Sequence, residues 1–245
     1  MAQVDFQRRE IAPLKLALAS CISASILEGP LTEIAKFMPG LQVELVEAEP
    51  GEVDEMLLNG TINAAITGDD TGGPSVRIDH WALFEERFAV LTPKSSRYAE
   101  RPVLSIDALA QATWLERVGC EGGLRLWRGL FAETVEPKIG HRGRHLAHLQ
   151  YMVSAGLGLM LWPQHAPHLD SLVVRQIEGD PLHRTIQLRV VQGRRYSPAL
   201  EALVKIARVH DWTNAFPRDD AEVAERDEPE HRRLYAGAEA RVATA

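Results

Sequence analysis

Polar side chains and glycines occur at four points that follow a predicted strand or come at the start of a predicted helix. These stretches are Ser20, Cys21 and Ser23; Thr67 and Gly68; Cys120, Glu121, Gly122 and Gly123; and Gly143, Arg144 and His145. Unpaired backbone N–H groups at such points attract anions. Hydroxyl groups that face an arginine favour a small carboxylate, which charge-assisted hydrogen bonds can hold. In the alternative interpretation, Ser20 or Ser23 only caps a helix and Arg144 is a solvated charge.

The two cysteines, Cys21 and Cys120, raise the hypothesis of a redox sensor. A thiol at a helix N-terminus has a lowered pKa, and both cysteines are predicted near one. The chain has no CxxC spacing, and a bridge between the two sulfurs requires a geometry that the sequence does not establish. Inert packing of two small side chains is the favoured interpretation.

Three histidines stand at the spacing i, i+4 and i+7, so a helix would place their imidazoles on one face. They are His141, His145 and His148. The neighbouring Arg142 and Arg144 would repel a cation, and no HExxH motif accompanies them, so we predict no metal site. His165 and His168 are predicted at the surface.

The chain has no GxSxG, P-loop or strand-linked GxGxxG motif. We therefore predict that it is not an enzyme and has no resident cofactor.

The elements that position these residues alternate between strand and helix patterns. Strands are predicted at residues 14–19, 41–46 and 62–66, with helices running from Ser20 or Ser23 to about residue 37 and over 52–59. The order β-α-β-α-β indicates a parallel sheet. A second α/β unit is predicted from a strand, a glycine-rich turn, a helix, a helix that stops at Gly156, two further strands and a helix capped by Ser197. In that order, these elements cover residues 113–117, 119–123, 123–133, 146–155, 157–162, 186–191 and 198–211.

Two segments of the chain carry a family resemblance. MVSAGLGLMLWP, from Met152 to Pro163, resembles the V-A-A-G-L-G-hydrophobic-L-P signature in the effector-binding domain of LysR-type bacterial transcriptional regulators. LQVELVEAEPGEVDEMLLNGTINAAITG follows the same family's pattern of strand, helix, leucine-leucine-x-glycine and strand, although Asn63 stands where the family usually carries Asp. The likeness extends over about residues 14–211.

This resemblance implies an α/β, two-lobed type 2 periplasmic-binding-protein-like fold with crossing strands between the lobes. The implied organisation is a linker stub at 1–13, lobe one at 14–88 with 195–216, lobe two at 89–194 and a charged tail at 217–245. Two strands, 82–86 and 87–93, would leave the first lobe. The effector cleft would lie between the lobes, lined by Ser20, Cys21, Ser23, Thr67, Gly68, Cys120, Gly122, Gly123, Arg144 and His145.

Composition and length limit the function. The formal charge is −7, whereas a domain that binds the DNA phosphate backbone by itself carries net positive charge. The thirteen residues before the first predicted strand are too few for the family's winged helix-turn-helix, so any DNA contact would need a head that is missing here. Two cysteines and no apolar membrane span favour the cytoplasm. We therefore expect an effector-sensing domain for a small, anionic metabolite, as a homodimer or homotetramer. A stand-alone or transport-associated solute-binding protein is the alternative, and an enzyme on the same fold ranks below it.

Overall fold

The structure is a computed structural model that describes residues 11–49, 51–68, 77–119, 123–131, 135–179 and 182–212. All of these lie within one compact unit that ends at Ala215. The predicted charged tail lies outside the described residues, as does most of the predicted linker stub. Within the described ranges, none of the helices has the length and apolar character needed to cross a bilayer.

The described ranges contain ten strands and six α-helices. The strands are β1 (Ala12–Ala19), β2 (Leu41–Ala48), β3 (Ala64–Gly68), β4 (Ile78–Pro93), β5 (Val103–Leu104), β6 (Thr113–Arg117), β7 (Lys138–Gly143), β8 (Met160–Pro163), β9 (Leu172–Ile177) and β10 (His183–Val191). The helices are α1 (Glu28–Phe37), α2 (Val53–Asn59), α3 (Ile106–Ala110), α4 (Gly123–Phe131), α5 (Leu146–Ser154) and α6 (Pro198–Val209).

The larger sheet has the strand order β2-β1-β3-β10-β4-β9-β5, and β8 also pairs with β4. β1 pairs in parallel with both β2 and β3, which confirms the parallel sheet predicted from the β-α-β-α-β order. A second sheet consists of the parallel pair β6 and β7. A bridge between Trp114 and Leu159 joins β6 to the residue that precedes β8.

One long strand, β4, runs through both parts of the larger sheet. Residues 78–87 pair with β10, whereas residues 88–93 pair with β8 and β9. The prediction of two separate strands at 82–86 and 87–93 is therefore wrong, because partners on both halves keep the ladder continuous, apart from an irregularity in the pairing with β10. β10 pairs with β3 and the first half of β4, although its residues were grouped with lobe two. The lobe limits stay a prediction.

Helix ends follow the predicted capping chemistry, with one correction. Ser197 Oγ accepts a hydrogen bond from Leu200 N–H and caps α6, and Gly60 ends α2 with a φ of 82°. Ser23 caps a short 3-10 turn at Ala24–Leu27 that leads into α1. Ser20 caps no helix, because its hydroxyl turns toward the backbone of Gly119 instead.

Asn63 has a structural role between β1 and β3. Its side-chain Oδ1 accepts a hydrogen bond of 2.7 Å from the Lys15 backbone N–H. Its own N–H donates to the Lys15 carbonyl oxygen at 2.8 Å. The Asn63 side chain thus ties the start of β3 to β1 through its amide oxygen, an acceptor that a carboxylate could also provide.

Candidate functional site

A cavity of about 410 Å³ lies where the carboxyl ends of β1, β2 and β6 approach the first turn of α5. Parallel strands bring their carboxyl ends to one edge of a sheet, which is where open α/β folds hold ligands. The described residues that line it are Leu18, Ala19, Ser20, Ile22, Ala24, Leu45, Val46, Glu47, Arg117, His145, Leu146 and Ala147. Most of this lining is apolar, with a small group of polar side chains on one part of the wall.

Arg117 is the central charge of the cavity. It is the last residue of β6, and its side chain is only 5% exposed. Its Nε donates to the Arg144 carbonyl oxygen at 2.7 Å, and its Nη2 donates to Glu47 Oε1 at 3.3 Å. Its Nη1 is buried and has no hydrogen-bond partner within the described ranges. A buried guanidinium nitrogen without a partner carries a desolvation cost that an anionic ligand would remove.

Two carboxylates at the end of β2 face the cations of the opposite wall. Glu47 lies near Arg117 and places its Oε2 3.8 Å from His145 Nδ1. Glu49 Oε1 accepts from Arg144 Nη1 at 2.9 Å. The Glu49 carboxylate also lies so close to Gly119 that a side chain there would collide with it. The chain's own acidic groups therefore already engage the cations at this edge.

Three of the predicted site residues meet here. Ser20 donates its hydroxyl hydrogen to the Gly119 carbonyl oxygen at 3.2 Å and lines the cavity. His145 also lines it, and Arg144 contributes its carbonyl oxygen to Arg117 while its own side chain is 66% exposed and paired with Glu49. The anion-binding role expected of Arg144 is thus matched better by the buried Arg117.

The other predicted site residues are placed elsewhere or lie outside the description. Ser23 Oγ contacts Ser25 Oγ at 2.8 Å and serves as a cap. Thr67 is fully buried, its hydroxyl has no hydrogen-bond partner within the described residues, and Gly68 pairs with Ile186 at the end of β3. Gly123 begins α4. Cys120 and Gly122, together with Glu121, lie outside the described residues, so their predicted place in the effector cleft and the less favoured hypothesis that Cys120 pairs with Cys21 both stay untested.

Cys21 lies in a buried polar cluster with Arg184, Glu86 and His165. Its Sγ accepts from Arg184 Nη1 at 3.0 Å, and its carbonyl oxygen accepts from Arg184 Nη2 at 2.9 Å. Arg184 also forms an ion pair with Glu86, whose Oε1 lies 3.3 Å from His165 Nε2. The side chain of His165 is 8% exposed, so its predicted surface position is wrong: the ring turns inward to Glu86. His168 is exposed, as predicted.

Burial shifts the pKa values of this cluster in opposite directions. It raises the pKa of the Glu86 carboxyl from 4.5 to about 7, against the opposing pull of the Arg184 charge. It lowers the pKa of the His165 imidazole from 6.5 to about 4, and the Arg184 charge adds to that effect. Both directions follow from the cost of holding a charge away from water.

The three spaced histidines do not share a helical face. His141 lies in β7, His145 precedes α5, and His148 lies within α5. His145 and His148 contact each other edge to face, with ring centroids 5.0 Å apart. Within the described ranges, no group of three potential ligands converges on a metal position.

Arg117, Glu47 and Glu49 belong to the site, although the sequence patterns did not predict them there. A signal for them was present, because Arg117 ends a predicted strand and the two glutamates stand at or just after the end of another.

Comparison with known proteins relates this geometry to a family. Residues 7–211 match the LysR substrate binding domain. No protein of curated function matches the chain. Among solved structures, the CcmR regulatory domain of Synechocystis PCC6803 in complex with 2-PG is 16% identical, with a TM-score of 0.68 over 80% of this chain and 95% of that chain.

Two further structures have the same fold. The C-terminal domain of a probable LysR family regulator from Rhodococcus sp. RHA1 is 17% identical, with a TM-score of 0.70 over 81% of this chain and 99% of that one. A reduced form of OxyR from N. meningitidis is 19% identical, with a TM-score of 0.68 over 84% and 98%. The α/β, two-lobed, periplasmic-binding-protein-like fold is thereby confirmed. The chain belongs to the LysR substrate-binding domain family, the effector-binding domains of LysR-type regulators.

Proposed function

We propose that the cavity beside Arg117 binds a small metabolite with a carboxylate or another anionic group. The observation that carries this proposal is Arg117, a nearly buried guanidinium that lines a ligand-sized cavity and whose Nη1 has no hydrogen-bond partner within the described residues. A charge-assisted hydrogen bond to an anionic oxygen satisfies this nitrogen. The volume of about 410 Å³ falls within the range of small-molecule sites.

Binding is proposed to act by shifting the angle between two lobes. Glu47 and Glu49 come from the β2 side of the cavity, while Arg117, Arg144 and His145 come from the β6 and α5 side. A ligand that enters between them changes which charges are paired across the gap, and so favours one arrangement of the two sides. The proposed lobes are residues 14–88 with 195–216 and residues 89–194, with β10 closer to the first by its strand pairing.

The proposed assembly is a homodimer in the cytoplasm that transmits this shift to DNA-binding heads. The relative from Synechocystis was solved with the small ligand 2-PG, which supports small-molecule sensing as the role of this fold. The proposed role is regulatory binding, and no step of it requires catalysis.

A thermal-shift assay with Arg117→Gln tests the site. The panel contains small carboxylates, aromatic acids, amino acids and phosphorylated acids. A ligand at 100 times its Kd adds about 2.7 kcal/mol, which moves the Tm of a chain this size by several degrees. We expect a selective shift for the wild type and none for Arg117→Gln.

Arg142→Gln is the matched control, because Arg142 is an exposed arginine on β7 that pairs with Glu116 and does not line the cavity. It should keep the wild-type shift. An unchanged shift in Arg117→Gln would contradict the proposed site, and no shift of the wild type with any compound would contradict the proposed function.

A further inference from the structure

The charged groups of the cavity balance each other. Its described lining contains one carboxylate, on Glu47, and one guanidinium, on Arg117, beside the imidazole of His145 and the hydroxyl of Ser20. The first two are paired, with Arg117 Nη2 3.3 Å from Glu47 Oε1. A simple anion that approached Arg117 would therefore come close to the Glu47 carboxylate, and like charges at such distances repel.

One part of the wall is suited to a carboxylate. Arg117 lines the cavity there with a guanidinium that is 5% exposed, and its buried Nη1 has no partner within the described residues. The first turn of α5 lines the same cavity through Leu146 and Ala147, and His145 at its start makes no side-chain cap. The first N–H groups of a helix have no partner within the helix, so they add donors and a partial positive charge to the same part of the wall.

The neighbouring part of the wall is suited to a donor with positive charge. Glu47 is an acceptor there. Ser20 also acts as an acceptor, because its single hydroxyl hydrogen is directed to the Gly119 carbonyl oxygen and leaves only oxygen lone pairs for a ligand. Ser20 thus complements an ammonium group rather than the carboxylate that sequence analysis expected.

We infer that the ligand is a zwitterion, an α-amino acid with an apolar side chain. Its carboxylate takes the donors of Arg117 and α5, and its ammonium takes the acceptors of Glu47 and Ser20. The apolar lining, which includes Leu45 and Leu146, surrounds its side chain. Binding exchanges the internal ion pair for two pairs with the ligand and leaves no charge unpaired. This inference rests on the proposed function and names the class of ligand for the same cavity.

Isothermal titration calorimetry of the full chain with matched compounds tests the inference. The amino acids are L-alanine, L-valine, L-leucine and L-phenylalanine. Each is paired with the acid that lacks the amino group: propanoate, 3-methylbutanoate, 4-methylpentanoate and 3-phenylpropanoate. The amines that lack the carboxylate complete the series. We expect at least one amino acid to bind at least about tenfold more tightly than either partner compound, because the acid loses its contact with Glu47 and the amine loses its contact with the buried guanidinium of Arg117.

Glu47→Gln should reduce the difference in affinity between the amino acid and its matched acid. The substitution removes the negative charge that attracts the ammonium group and repels the acid. Glu44→Gln is the matched control, because Glu44 lies on the same strand, pairs with Lys15 and does not line the cavity. This control variant should show the same affinity difference between amino acid and acid as the wild type. The comparison of ligands on the wild type needs no variant, so it decides the matter even if Glu47→Gln fails to fold.

The outcomes separate the two proposals. Acids that bind as tightly as their amino acids would overturn the zwitterion and leave the carboxylate site standing. Amines that bind as tightly as amino acids would overturn the zwitterion and the anion-binding role of Arg117 together. Absence of binding across the whole series would overturn the inference, and other anions in the thermal-shift panel would then decide the proposed function by themselves.

Discussion

At the residue scale, the cluster around Arg184 contains two titrating groups, Glu86 and His165, whose pKa values are shifted in opposite directions. The raised pKa of Glu86 means that its contribution to stability is complete below about pH 4.5 and is lost as the pH rises to about 7. The lowered pKa of His165 means that its contribution is complete above about pH 6.5 and is lost as the pH falls to about 4. Between these limits the two contributions change in opposite directions with pH. They therefore offset each other in the free energy of unfolding of the wild type.

The variant His165→Gln should expose the histidine contribution. Wild type should lose stability relative to the variant as the pH falls from 6.5 to 4, by up to about 1.4 kcal/mol per pH unit, because only wild type must keep a buried imidazole neutral. Urea unfolding at pH 4.5, 5.5 and 6.5 measures this difference. His168→Gln is the control, since His168 is an exposed histidine on the same loop. If the difference in unfolding free energy between wild type and His165→Gln stays constant with pH, the lowered pKa of His165 is contradicted.

Local sequence could predict the polar residues at the ends of strands but not their partners. Ser20 and His145 both line the cavity, because Ser20 follows β1 directly and His145 precedes the first turn of α5; their role in effector binding stays a prediction. His165 could not be located in this way, since its burial depends on Glu86, a residue far away on β4. For the same reason nothing near Arg117 in the chain indicated that Glu47 would face it across the cavity.

At the element scale, the turn between α5 and β8 depends on two glycines with different demands. Gly156 has a φ of 78° and open space around the position of a Cβ. Gly158 has a φ of 157°, and a Cβ there would lie 2.5 Å from the Thr113 carbonyl oxygen. Leu159 N–H donates to that same oxygen at 2.8 Å, which holds the segment against β6. The backbone approach at Gly158 therefore leaves no room for a side chain.

Alanine substitutions should separate these two demands. Gly156→Ala should lower the free energy of unfolding by about 1–2 kcal/mol, the cost of a left-handed backbone for an L-residue. Gly158→Ala should lower it by about 1–3 kcal/mol more, because the clash is with backbone that cannot rotate away. Gly51→Ala, in an open turn with no atom within 4 Å of the new Cβ, is the control and should be nearly neutral. Chemical denaturation measures all three, and equal losses at Gly156 and Gly158 would contradict the packing argument.

Sequence periodicity predicted the elements with strong patterns and missed those that depend on pairing. β1, β2, α2 and α6 were expected, because apolar spacing and capping residues mark them. β7 was missed, since KIGHRG has few apolar residues and is a strand only through its pairing with β6. β9 was also missed, although LVVRQI is rich in β-branched residues and offered a usable signal. The continuity of β4 could not be predicted, because it depends on three partner strands at once.

At the scale of the whole molecule, net charge opposes the proposed assembly. Each chain carries a formal charge of −7, so two copies repel one another as they approach. The repulsion acts over about 30 Å at 10 mM salt but only about 8 Å at physiological ionic strength. If copies associate through apolar contact, their association should therefore strengthen as salt screens this repulsion.

Light scattering across a salt series should show how charge repulsion between copies affects their association. At tens of micromolar protein we expect a mass near twice 27.2 kDa in 150 mM salt and a smaller average mass in 10 mM salt. The direction follows from repulsion between like-charged copies, whereas an interface built on ion pairs would weaken as salt rises. A mass that stays at 27.2 kDa in all salts would contradict the proposed homodimer, and one that falls with added salt would contradict an apolar interface. The salt series therefore tests the assembly and the kind of contact that holds it.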